Sequence, residues 1–188
     1  NLFCGTPGGG SALSKISPDG AIIWQRFHNI PGFQGVAIDK EFVYTCGAGF
    51  YGYRQLQRWN RASGVPAPGW QFEWKDKDTV VNGLKPFVSP VSLAVDDQYL
   101  YIIDHGGDEL RRVDKATGAE HPFAMPVKVV KPVDLAWAKS GNLLLLTESS
   151  LIELAKDGTP VHLPLVKELK GAVSVAVQPN TGNIFVAQ

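Results

Sequence analysis

The chain has 188 residues, 44% apolar and 19% charged, with 18 Lys and Arg balanced by 18 Asp and Glu. That length and apolar share suffice for a buried core, while zero net charge and the lack of any Lys/Arg run argue against a nucleic-acid groove or an anionic-membrane surface. Apolar runs such as residues 143–146 fall far short of the roughly 18 residues that cross a bilayer.

Twenty Gly and 13 Pro punctuate short β-branched and aromatic runs, and no window sustains a 3.6-residue apolar stripe free of both, which predicts an all-β chain. In chain order, Asn1-Leu2-Phe3-Cys4-Gly5 carries neither the basic nor the long apolar region of an export signal and reads as a strand. Residues 15–20 run into an Asp-Gly turn, and 21–27 return from it. Val36-Ala37-Ile38, Leu93-Ala94-Val95, Leu135-Ala136-Trp137 and Val175-Ala176-Val177 then form a series with a small central residue, its alanines 57, 42 and 40 positions apart. Each is followed by a polar turn and a bulkier strand, at 42–46, 99–103, 143–146 and 184–187. Third strands end in turns at Ser63-Gly64, Thr117-Gly118 and Asp157-Gly158, and a fourth strand is clearest in 21–27 and 70–74. Glycine supplies the positive φ that such tight turns need.

Four short antiparallel strands repeated at roughly 40 to 45 residues make one propeller blade each. The predicted fold is therefore a β-propeller with four-stranded antiparallel blades, about four of them present, in repeats at approximately 1–30, 31–88, 89–130 and 131–170, with the start of the next at 171–188. The segment 90–96 followed by 100–114 resembles an NHL repeat, and 131–137 with 143–158 resembles a diverged copy. That resemblance implies a six-bladed class containing protein- and RNA-binding scaffolds, lyases and lactonases. Because 1–5 aligns with 183–187, the chain starts and stops in the same second-strand phase. This predicts an incomplete ring whose remaining blades, or a self-associating partner, cover the exposed ends; a closed four-bladed ring is the rival.

Candidate chemistry is sparse. Gly47-Ala48-Gly49-Phe50-Tyr51-Gly52 matches the GxGxxG string, but the dinucleotide fingerprint requires a helix after it and the repeat calls for a strand there. The enlarged second repeat carries Phe50, Tyr51, Tyr53, Trp70 and Trp74, a stacking surface for a protein, peptide or carbohydrate ligand or, alternatively, the packed face of an outer strand. Asp104, His105 and Asp108, with Asp134 and Glu148 from the following blade, offer Ca²⁺ or Zn²⁺ ligands or an acid/base pair near the axis, or else turn residues that bind backbone N–H groups.

The lactonase-like Glu-Gly-Pro-x-Trp motif has here only Pro132-Val133-Asp134-Leu135-Ala136-Trp137, without the Glu, and the amidating-lyase histidines are not matched beyond one of His28, His105, His121 and His162. The expectation is a non-catalytic binding scaffold without a cofactor; a propeller hydrolase or lyase with an axial metal is the alternative. Cys4 and Cys46 fall in successive second strands one position out of phase, which predicts free thiols. Compartment stays open, with export slightly favoured.

Overall fold

A computed structural model of the chain describes residues 1–5, 11–27, 32–49, 52–76, 78–123 and 129–188. Strands β1 (Leu2–Gly5), β2 (Ala12–Ile16) and β3 (Ile22–Phe27) form a first antiparallel sheet; β4 (Gly35–Ile38), β5 (Phe42–Ala48), β6 (Arg54–Asn60) and β7 (Pro66–Trp74) form a second. A third holds β8 (Pro90–Val95), β9 (Tyr99–Asp104) and β10 (Glu109–Asp114), and a fourth β11 (Pro132–Trp137), β12 (Leu143–Thr147), β13 (Leu151–Leu154) and β14 (Pro160–Val166). β15 (Ser174–Val177) and β16 (Ile184–Ala187) pair as a fifth. Each sheet is wound strand by strand from the centre outwards, and the innermost strands β4, β8, β11 and β15 lie side by side. The fold is a β-propeller arc.

Strand register explains the small residue at the centre of each innermost strand. Ala37 lies opposite Tyr44, Ala94 opposite Tyr101, Ala136 opposite Leu144 and Ala176 opposite Phe185. The bulk sits on the second strand, and the first stays slim where the blades converge. Gly35 shows how tight that convergence is: a Cβ there would stand 2.8 Å from Cys46 Sγ and 3.0 Å from Ser92 Cα.

Side-chain alternation along each strand sends successive residues to opposite neighbours. Leu143 and Leu145 pack towards the third sheet with Tyr101 and Ile103, whereas Leu144 and Leu146 pack towards the fifth with Val175. Burial on both faces is why β12 is an unbroken leucine run rather than an alternating one. The aromatics of the second sheet divide likewise: Trp59 faces Phe3 and Trp24, and Trp70, Phe72 and Trp74 face Leu93 and Leu100.

The arc is open. The first sheet lacks an innermost strand, the fifth has only its innermost and second, and no strand pairing among the described residues joins the two. β1 and β16 both occupy the second-strand place, as the repeat phase predicts, and the closed four-bladed ring is not found. Leu2 and Phe27 are exposed at one end, Val173 and Phe185 at the other. A further departure lies in the third blade, where the expected fourth strand is reduced, among the described residues, to one bridge between Val113 and Glu120. Pro122, which has no N–H to donate, follows it. Cys4 is exposed and Cys46 buried, both as free thiols.

Candidate functional site

The connections between second and third strands gather at one end of the arc with the lead-ins to the innermost strands. Asp104 closes β9 there and is buried; its Oδ1 accepts the N–H groups of Val88 (3.0 Å) and Ser89 (2.6 Å), Oδ2 accepts Val88 N–H at 2.8 Å, and the Arg111 guanidinium stands 3.9 Å away. His105 follows in a single 3-10 turn, its Nδ1 2.9 Å from Pro132 O in the next blade. Asp108, left-handed at φ 50°, accepts the Lys131 N–H at 2.9 Å, and the Lys131 ammonium reaches Glu148 at 2.8 Å. These contacts join the third blade to the fourth.

Asp134 lies apart, on β11 facing the axis. Its Oδ1 accepts the Ser92 hydroxyl (2.7 Å) and Leu135 N–H (2.9 Å), while Oδ2 accepts the Ser174 hydroxyl (2.8 Å) and Val175 N–H (2.9 Å). One carboxylate thus clasps three innermost strands. No group of three or more His, Cys, Asp or Glu close enough to share a metal ion occurs among the described residues.

The aromatic candidates divide. Phe50 and Tyr51 lie outside the described residues. Tyr53 is partly exposed at the loop end, with the Lys75 ammonium 5.3 Å from its ring centre. Trp70 and Trp74 are 2% and 0% exposed, in a series of ring contacts with Phe72 and Phe87 between the second and third blades, Phe72 stacked on Trp74 and the others edge-on. They are core, reached by no ligand in this arrangement. Gly49 N–H bonds Tyr53 O at 2.7 Å and β6 starts at Arg54, so no α-helix follows the glycine string.

Sequence reasoning missed a repeated lock at the opposite end. In the β4–β5 turn Asp39 accepts the N–H groups of Glu41 and Phe42 on Oδ1, and on Oδ2 the Tyr44 hydroxyl at 3.0 Å and the Lys115 ammonium of the next blade at 2.7 Å. One repeat on, Asp96 accepts from Gln98 and Tyr99, from the Tyr101 hydroxyl at 3.0 Å, and faces Lys156 of the following blade at 3.9 Å. Above each lock an arginine is stacked: Arg58 over Phe42 and Trp70, donating to Lys115 O, and Arg112 over Tyr99 and Phe123, donating to Lys156 O. Burial works to raise the Asp39 pKa, but the Lys115 contact, the two backbone donors and Tyr44 outweigh it and hold the carboxyl below its ordinary value. Tyr44 and Tyr101 are pushed up by burial and by Asp39 and Asp96. The signal was present as Asp at i and Tyr at i+5 in two repeats, with a basic residue at the second position of each following turn.

Open cavities of 380 and 340 Å³ lie over these locks. Another, of 490 Å³, lies on the outer edge of β10 between Leu110, Phe123 and Val129.

Comparison with known proteins supports the fold. No family model and no curated protein matches the chain. Among solved structures, the WD40 β-propeller domain of Doa1 aligns over 98% of this chain and 56% of its own with TM-score 0.62 and 14% identity. Virginiamycin B lyase from Staphylococcus aureus aligns over 98% and 62% with TM-score 0.64 and 12% identity. A chain of a nidogen/laminin complex aligns over 99% and 84% with TM-score 0.61 and 13% identity. These likenesses define the chain as a β-propeller, a fold that carries both enzymes and binding domains.

Proposed function

We propose that the chain is a non-catalytic binding scaffold of the NHL-like, six-bladed kind, recognising a protein, peptide or carbohydrate through the loop end that carries Tyr53, Lys75 and His105. The carrying observation is the state of the carboxylates that the sequence offered as metal or acid/base groups. In Asp104 and Asp134 both oxygens already accept donors, from the lead-in for Asp104 and from the neighbouring innermost strands for Asp134. A carboxylate so engaged has little lone-pair capacity left for an ion or a proton in flight. The similar folds include a WD40 domain and a chain from a nidogen/laminin complex but also a lyase, and favour neither role.

Calorimetric titration with CaCl₂ and with ZnCl₂ tests this. The expected result is no stoichiometric binding. Stoichiometric uptake that Asp134→Asn abolishes in a protein of unchanged stability refutes it. On the positive side, glycan and peptide arrays should give a ligand whose affinity falls at least tenfold in Tyr53→Ala.

A further inference from the structure

At the lock end one guanidinium links the third blade to the fourth. Arg112, on β10, is sandwiched between the rings of Tyr99 and Phe123, 4.5 and 5.0 Å from their centres, and its Nη1 donates to Lys156 O of the fourth blade at 3.1 Å. Nη2 has two contacts on the segment that returns along β10: it donates to Pro122 O at 2.6 Å and lies 2.9 Å from His121 Nδ1. Arginine can only donate, so the second contact requires a lone pair on Nδ1. That makes His121 neutral, with its proton on Nε2, 3.4 Å from the Tyr99 hydroxyl.

Protonation cannot leave that arrangement intact. A second N–H, on Nδ1, would point at a donor, and two cations would stand 2.9 Å apart. The acceptor within reach of the new N–H is Pro122 O at 3.2 Å, the oxygen that Arg112 already uses. His105 and His162 behave in the opposite sense: their Nδ1 atoms face Pro132 O and Glu153 Oε2 at 2.9 and 2.8 Å, which a protonated ring binds equally well. Among the described residues, the charged groups around His121 do not restore its contact with Arg112. Glu120 is held by Arg111, Lys156 stands 3.9 Å from Asp96, and Asp157 lies beyond Arg112 in the next blade. Asp114 favours a cationic ring electrostatically, but its Oδ1 already accepts the N–H groups of Ala116 and Thr117 and the Thr117 hydroxyl. Tyr99 supplies only its ring face and hydroxyl.

We infer that His121 is a proton switch on this joint: neutral, it fixes Arg112 against the fourth blade; on taking a proton from solvent, it turns to Pro122 O and releases the guanidinium. Histidine is the side chain that changes charge between about pH 5 and 8. The joint between the second and third blades has the same stacked arginine, Arg58 donating to Lys115 O, with no histidine bonded to it among the described residues. It is an internal control. The switch lies at the end opposite the proposed ligand loops, so the two readings stand or fall independently.

Long-range ¹H–¹⁵N spectra at about pH 8 should show His121 as the Nε2–H form, and acidification to about pH 5.5 should convert it to the cation. Over the same range the amide protection factors of β11 to β13 should fall by about threefold or more, the scale of one partly exposed, charge-assisted bond, while those of β5 and β6 stay level. His121→Gln, whose amide oxygen accepts from Arg112 in acid and base alike, should keep the protection seen at the higher pH and lose the pH dependence. His121→Lys should show the lower protection throughout. An Nδ1–H tautomer at the higher pH, protection unchanged by acid, or the same loss in His121→Gln overturns the inference.

Discussion

Replacing Asp134 by alanine tests the claim that this residue works as a clasp. Four donors converge on it at 2.7 to 2.9 Å, three from the neighbouring innermost strands through Ser92 and Val175, both nearly buried, and the more accessible Ser174, and one from Leu135 on its own strand. A bond to a charged acceptor contributes about 1.5–3 kcal/mol net, and a buried donor left without a partner costs about 1–3 kcal/mol. Water reaches Ser174, and Asp134 itself is only partly buried, so the Ser174 bond counts for little, and the bond from Leu135, the next residue of the same strand, holds no two blades together. The Ser92 and Val175 donors alone then predict a loss of about 2–4 kcal/mol. Urea titration should show a lower midpoint at unchanged slope. Asp134→Asn should lose less, since one oxygen survives, yet its NH₂ group opposes the Val175 N–H. A loss below about 0.5 kcal/mol for alanine, the range of an ordinary surface change, would refute the clasp and return Asp134 to the candidate metal ligands.

Removing the Tyr101 hydroxyl in Tyr101→Phe should cost about 1 kcal/mol by the loss of its bond to Asp96, with Tyr44→Phe matching it, both read by urea denaturation. Gly118→Ala should cost more than about 2 kcal/mol: φ is +74° and the new Cβ would stand 2.4 Å from Phe72 Cζ, a rigid ring atom, so neither backbone nor neighbour yields easily. Asp39 gives a pH signature. Its folded pKa lies below the ordinary 3.8, so the unfolded chain takes up the proton first as pH falls; its stabilisation is full above about pH 5 and is lost as pH drops through the lowered value. Asp39→Asn should flatten that acid limb of the stability curve. Native protein treated with iodoacetamide at pH 8 should label on Cys4 alone, because burial removes Cys46 from reagent and pushes its thiol pKa up; two labels per chain would refute this.

The blades were legible because their physics repeats. Slim residues at Ala37, Ala94, Ala136 and Ala176 are needed wherever innermost strands converge, and each faces a bulky partner one strand out. The positions of Asp104, His105, Asp108 and Glu148 at one end were legible for the same reason. What they do there was not, since the donors that occupy Asp104 come from Val88 and Ser89, some fifteen residues earlier in sequence, and those of Asp134 from about forty residues to either side. Trp70 and Trp74 were left open between a ligand surface and a packed face because a two-residue alternation of aromatics looks alike on a ligand-facing and a blade-facing strand. The shortened fourth strand of the third blade, among the described residues, left no mark beyond Pro122.

The locks also bear on how the arc comes apart. Every contact described from one blade to another joins adjacent blades, so stability behaves as a one-dimensional chain of coupled units. The links differ in strength. Second to third and third to fourth carry an Asp–Tyr–Lys lock and a stacked arginine, whereas Ala138 replaces the aspartate in the fourth blade and Glu153, held by Asn142, Ser140 and His162 of its own blade, replaces the arginine. Amide exchange should therefore record a gradient of local opening: β15 and β16 exchange at a small fraction of the global free energy, and β5 to β10 only when the whole arc melts.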